Sequence, residues 1–375
     1  MHHNDFLLHA VFAKRVRPTL HWLAKSIEMG KGGSAAYYHL WRGWAPPYPE
    51  TTGYIIETLF DYATYLQEEQ WKNLAIHCTD WLCSIQRVDG AFPGGVGATG
   101  EPLIFDTGQI LFGLTRTFRE TGDVKYYTTC KKVVSWLVNV LETDGSWQRY
   151  SYTKGYIPSY YTRVVWGILY ANILWQDAAI TQQMQTALHY YINRITPQLS
   201  LQHWAFAPGE AAFTHTIAYT LRGMLESAHL LQDEAVLQQV YKILDQLIYI
   251  VQQNNDTLAG RYDAHWQGDY TFKCVTGHAQ VSLLFARAYQ MNQNPLYLHH
   301  AVNIFSKIVT KPYRIPIRGL YGAIPGSAPI WGAYLPFRFP NWAAKFYLDA
   351  YLKLMQLGDH KKGRHEDRTD PKINT

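Results

Sequence analysis

The chain has 375 residues, 47% of them hydrophobic and only 17% charged, which supplies a large core and excludes global disorder. Lys and Arg exceed Asp and Glu by 34 − 29 = 5, and the excess is scattered, so a nucleic-acid partner is not expected. Four cysteines with no CxxC spacing exclude a disulfide scaffold and a thiolate zinc site, and point to a reducing, cytoplasmic setting.

The longest mostly apolar stretch, Val164 to Trp175, is 12 residues, below the roughly 18 to 20 of a membrane span. The first residues carry no basic region leading into an apolar run, so no signal peptide is expected.

In chain order, an amphipathic run over 7–29 precedes PETTGYIIETLFDYA from Pro49, which is apolar nearly all round. Trp71, Leu74, Cys78, Trp81, Leu82 and Ile85 then form a one-sided stripe of helical period. The same alternation continues. FDTGQILFGLTRTF from Phe105 precedes a run over 123–142, and YTRVVWGILYANIL from Tyr161 precedes one over 177–195. THTIAYTLRGMLESA from Thr214 precedes 233–254, TGHAQVSLLFARAY from Thr276 precedes 295–310, and PNWAAKFYLDAYL from Pro340 closes the series. Aligning the apolar runs puts Gly53, Gly108, Arg163, His215, Gly277 and Trp342 in register, at spacings of 55, 55, 52, 62 and 65. Twelve helices, alternately buried and one-faced, predict an all-α (α/α)6 toroid over 1–357. The tail 358–375 is charged and reads as disordered.

Between the helices lie the Gly- or aromatic-marked segments GGSAAYY, DGAFPGG, DGSWQRY, LQHWAF, AGRYDAHW and RGLYGAIPG, in which the Asp-Gly and Gly-Gly pairs suit tight turns. They lead into the buried helices, so they should converge on one end of the ring, with helix N-termini aimed into a funnel.

The DGAF and DGSW turns resemble the six-hairpin superfamily of terpenoid cyclases, prenyltransferase β subunits and many carbohydrate-active enzymes. QRVDGAF from Gln86 is similar to the Gln/Trp-type repeat of the cyclases, but their DxDD and DDxxD motifs are absent. TGHAQVSLLFARAY resembles the helical domain of uronate C5-epimerases. YPETTGYIIETL, FDTGQILFGL, THTIAYTLRG and PNWAAKF resemble cyclase-like proteins of bacterial polysaccharide gene clusters. The resemblance, over about residues 30–356, implies the toroid and an enzyme acting on a glycan.

Glu50 and Asp106 begin the first two buried helices, where each suits either a helix start or the acid and base of a glycoside hydrolase. Arg163 and His215 hold the matching places in the next two. A buried guanidinium there needs a substrate carboxylate or a protein carboxylate as partner, and an imidazole can serve as base. Tyr161 completes a Tyr/His/Arg set of the kind that C5 proton abstraction needs, with Arg163 neutralising the uronate carboxylate. Tyr48, Tyr54, Tyr160, Tyr219, Tyr334, His278, Trp147, Arg149, Asn341 and Trp342 are expected around the mouth as sugar contacts. The long segment 311–340 should cover it, with Trp331 and Tyr334 as platforms and Arg314, Arg318 and Arg338 facing an acidic glycan.

These residues predict an epimerase or lyase acting on an acidic bacterial surface glycan, without metal or cofactor. A hydrolase using Glu50 and Asp106, or a non-catalytic glycan-binding partner of a polysaccharide synthesis complex, are the alternatives.

Overall fold

The structure, a computed structural model, describes residues 2–309 and 319–366. Twelve α-helices alternate around a ring. The outer set is α1 (His2–Met29), α3 (Glu69–Ile85), α5 (Val124–Asn139), α7 (Ala178–Ile192), α9 (Glu234–Gln253) and α11 (Pro295–Val309). The inner set is α2 (Pro49–Leu66), α4 (Ile104–Thr121), α6 (Thr162–Asn172), α8 (Thr214–Leu231), α10 (Val275–Asn292) and α12 (Asn341–Glu366). Each inner helix packs on the next, and α12 returns to α2, so the ring closes. This is the (α/α)6 toroid that the alternation predicts. α12 continues to Glu366, past the Gly358 at which the tail was expected to begin, for no proline intervenes before Pro371.

Burial explains the two helix types. Inner α4 buries every residue from Ile104 to Thr115, whereas outer α9 buries a single stripe that includes Val236, Val240, Ile243, Leu244 and Leu247. Inner helices approach one another closely because glycine removes the side chain at the contact. A Cβ on Gly53 would lie 2.6 Å from Ile110 Cα, and one on Gly223 would lie 2.5 Å from Arg163 N.

The two sets also start differently. Asp123, Asp177 and Asp233 cap α5, α7 and α9 with side-chain hydrogen bonds. No side chain caps α2, α4, α6, α8 or α10; instead the first N–H groups of α4, α8 and α10 donate to the loop carbonyls of Tyr150, Gly260 and Gly326. Short strands tie the mouth loops together: Tyr37–His39 pairs with Arg338–Pro340, joining the first loop to the last, and Lys273–Cys274 pairs with Ser327–Ala328.

One helix breaks the pattern. α6 has 11 residues, where α2, α4, α8 and α10 each have 18. Pro158 and a 3-10 turn at Ser159–Tyr161 occupy the place of its first turns. The helix also stops early, at Asn172.

Candidate functional site

Glu50 and Asp106 lie in the first turns of adjacent helices α2 and α4, and both are buried. Neither is the N-cap; those positions fall to Tyr48 and Leu103. Asp106 instead accepts hydrogen bonds from its surroundings. Gly95 N donates to Oδ2 at 2.8 Å, and the Tyr152 hydroxyl reaches Oδ1 at 2.7 Å and Oδ2 at 3.0 Å. The Tyr48 hydroxyl is 3.4 Å from Oδ1 and is itself hydrogen-bonded to Tyr152.

Burial and the neighbouring Asp106 charge push Glu50 up to about 8, against hydrogen bonds from Tyr48 and Tyr54 and the attraction of Arg163. Burial also raises Asp106, but its donors at Gly95, Tyr152 and Tyr48 hold it to about 6. Both carboxyls are thus raised by burial, Glu50 further than Asp106, whose three donors favour its charged form.

The wall beyond this pair is aromatic. Tyr219 donates to the Tyr54 hydroxyl at 3.3 Å. Phe105 meets Tyr160 with ring centroids 4.9 Å apart and Tyr219 at 5.3 Å. His215 stacks at a tilt on Tyr219 at 4.3 Å and on Tyr334 at 5.3 Å. Its Nδ1 bonds the Gln280 Oε1 at 2.7 Å, an acceptor that fixes the proton on Nδ1 and leaves Nε2 with a lone pair. Burial depresses the imidazole to about 3, so it is neutral throughout the physiological range.

Arg163 is the second residue of α6, as His215 is of α8. Against α4 it keeps the register of the repeat, with the adjoining Val164 packed on Gly108, while on its other side its backbone lies against Gly223, eight residues past His215 on α8. It is buried, bonds Gln109 Oε1 through Nε at 2.8 Å, and lies over the rings of Tyr219, Trp166, Phe112 and Phe346 at 4.7–5.9 Å. None of the ion pairs among the described residues involves it.

Other expected contacts are enclosed. Tyr161 is buried, with its hydroxyl 2.9 Å from Ser151 Oγ, and Trp147 is fully buried with Nε1 donating to Leu137 O. His278 bonds the Cys274 carbonyl at 2.8 Å. Asn341 Nδ2 bridges Ser34 Oγ, Ala35 O and Thr51 Oγ1, a knot between the first and last repeats. Arg149 is exposed and 3.8 Å from Glu142.

In the long segment, Trp331 is 67% exposed. Tyr334 is buried and accepts from Trp342 Nε1 at 2.9 Å. Arg338 lies over the Tyr37 ring at 5.4 Å. Arg314 and Arg318 fall outside the described residues.

Tyr152, Gln109 and Gln280 are partners that sequence reading passes over. Each left a trace: Gln109 and Gln280 lie in the FDTGQIL and TGHAQV helix starts, and Tyr152 lies two residues past the DGSWQRY turn. No group of three His, Cys, Asp or Glu among the described residues is arranged to hold a metal ion.

No protein-family model matches the sequence, and no curated protein matches it. Solved structures do. The chain superposes on an unsaturated glucuronyl hydrolase specific for heparin with a TM-score of 0.74 and 14% identity, covering 93% of this chain and 98% of the other. Cellobiose 2-epimerase from Bacillus thermoamylovorans gives 0.68 and 13%, covering 92% and 100%. D-Mannose isomerase gives 0.70 and 9%, covering 92% and 97%. At these identities the likeness establishes the toroid fold.

Proposed function

We propose that the chain is a carbohydrate-active enzyme that cleaves a glycosidic bond with the Glu50–Asp106 pair. The observation that carries this is two buried carboxyls on neighbouring inner helices, both raised and raised unequally. Protonated Glu50 donates its proton to the leaving-group oxygen as the C1–O bond breaks. Ionised Asp106 takes a proton from the water whose oxygen bonds to C1. Each turnover consumes one water, leaves Glu50 charged and Asp106 protonated, and is reset by proton exchange with solvent. Tyr152 and Tyr48 orient Asp106, and the aromatic wall of Tyr54, Tyr160 and Tyr219 supplies apolar sugar contacts. A uronate-containing oligosaccharide is the substrate class favoured by Arg338 in the loop over the mouth and by the glucuronyl hydrolase likeness. A cytoplasmic role in handling bacterial surface glycans agrees with thiols that are all free.

This reading reverses the preference drawn from sequence, which took Tyr161 and His215 first. One observation keeps proton abstraction as a second reading. The Gln280 contact leaves His215 Nε2 as an unprotonated base in the aromatic wall, and two of the three structural likenesses are an epimerase and an isomerase.

One incubation separates them. Uronate oligosaccharides are held with the protein in D2O and followed by NMR and by a reducing-end assay. New reducing ends that vanish in Glu50→Gln and Asp106→Asn support hydrolysis. Deuterium at a sugar carbon, lost in His215→Asn and kept in Glu50→Gln, replaces it with the second reading. Tight binding with neither signal marks a glycan-binding partner.

A further inference from the structure

The end of the ring opposite the mouth holds a cavity of about 320 Å³ that the carboxyl pair does not use. Its size falls at the lower end of ligand pockets, which span roughly 300–1,000 Å³. It runs between α2, α6, α8, α10 and α12. Buried Arg163, Gln280 and Lys345 form its inner wall, and exposed Gln356 lies on its outer edge.

Its charges do not cancel. Asp61 is taken by Arg116 at 2.7 Å. Asp349 accepts from Thr58 at 2.6 Å and is paired with Lys345. Glu226, just behind the wall, is shared by Arg222 at 2.7 Å and Arg287 at 2.9 Å, so one carboxylate serves two guanidiniums. Among the described residues that leaves Arg163 and Lys353 without an ion pair, and Glu57 as the unpaired acid. Burial pushes Glu57 up to about 7, which mutes its repulsion of an entering anion. Beside Arg163 there is a further unused donor. Gln109 is fully buried, its Oε1 is occupied by Arg163, and its Nε2 has no hydrogen-bond partner. A buried cation and a buried N–H without acceptors are both costly, and an oxyanion satisfies both.

We propose that this cavity is an oxyanion site, taking a small phosphate monoester or sugar carboxylate between Arg163 at its inner end and Arg222 and Lys353 toward its opening. Neither Glu50 nor Asp106 lines the cavity, although Arg163 at its inner end also attracts Glu50, and the proposal stands whether or not that pair hydrolyses glycans.

Isothermal titration of the full chain with inorganic phosphate, and separately with free glucuronate, tests it, with ionic strength held constant by sodium chloride. The main variant is Lys353→Met, because this partly exposed side chain can be replaced without emptying the core. The expected result is saturable one-to-one binding of at least one probe, weakened tenfold or more in Lys353→Met with the urea midpoint little changed, and retained in Glu50→Gln. Which probe binds identifies phosphate or carboxylate as the source. Binding of neither probe overturns the proposal, as does equal binding in Lys353→Met. Loss in Glu50→Gln but not in Lys353→Met moves the anion to the mouth and overturns it equally.

Discussion

Replacing Glu50 by Gln should make the protein more stable as it makes it inactive. In the fold the carboxyl is moved from an ordinary 4.5 to about 8 by burial and the Asp106 charge. The folded state therefore holds a proton that the unfolded chain has released over that range. More protons in the native state mean that stability falls as pH rises through it, by about 1.4 kcal/mol per pH unit. The whole penalty is absent below 4.5 and is complete above about 8, with a ceiling of roughly 5 kcal/mol, since neighbours and water relax around a newly charged group. Gln keeps a hydrogen-bonding carbonyl toward Tyr48 and Tyr54 but cannot ionise. Urea unfolding of both proteins at pH 5, 7 and 9 should show small differences at pH 5 and a growing advantage for Glu50→Gln toward pH 9. Glycan cleavage should fall by about 10²–10⁴, the usual worth of a general acid. If the pH slope of stability is the same in both proteins, Glu50 ionises normally in the fold and the assignment of the acid collapses.

Cleavage by the native protein should follow a bell with limbs near pH 6 and 8, Asp106 ionised and Glu50 protonated. Tyr152→Phe removes a donor that favours the Asp106 carboxylate, so its acid limb should move to higher pH while the alkaline limb stays; an unmoved acid limb would detach Tyr152 from the base. Gly53→Ala places a Cβ 2.6 Å from Ile110 Cα and should cost about 1–3 kcal/mol in urea unfolding at every pH, distinguishing ring packing from titration. With a thiol reagent the native protein should react at Cys83 alone, since Cys78, Cys130 and Cys274 are buried with thiols pushed up by burial; all four should react in guanidinium.

The ring was legible in the chain because period and burial are local properties. A helix enclosed on all sides must be apolar all round, as VVWGILY is, and a peripheral one needs a single stripe, as Trp71 to Ile85 shows. Glu50 and Asp106 were legible for the same reason, since the repeat fixes where each inner helix begins. Their unequal acidity was not. It comes from the Gly95 N–H, from the Tyr152 hydroxyl in another loop and from the depth of burial, none of which has a fixed spacing from either acid.

Arg163 shows the limit most clearly. The alignment sets it level with His215, and each is the second residue of its helix, yet the guanidinium lies on the wall of the opposite cavity while His215 faces the aromatic wall of the mouth. Tyr161, two residues before it, is buried in the 3-10 turn with its hydroxyl on Ser151. Sequence alone determined the number, order and faces of the helices, since each follows from residues within a few turns. The axial depth of each side chain, and hence which end of the ring it serves, was decided by tertiary packing, because neighbouring helices slide until glycine and bulk interlock.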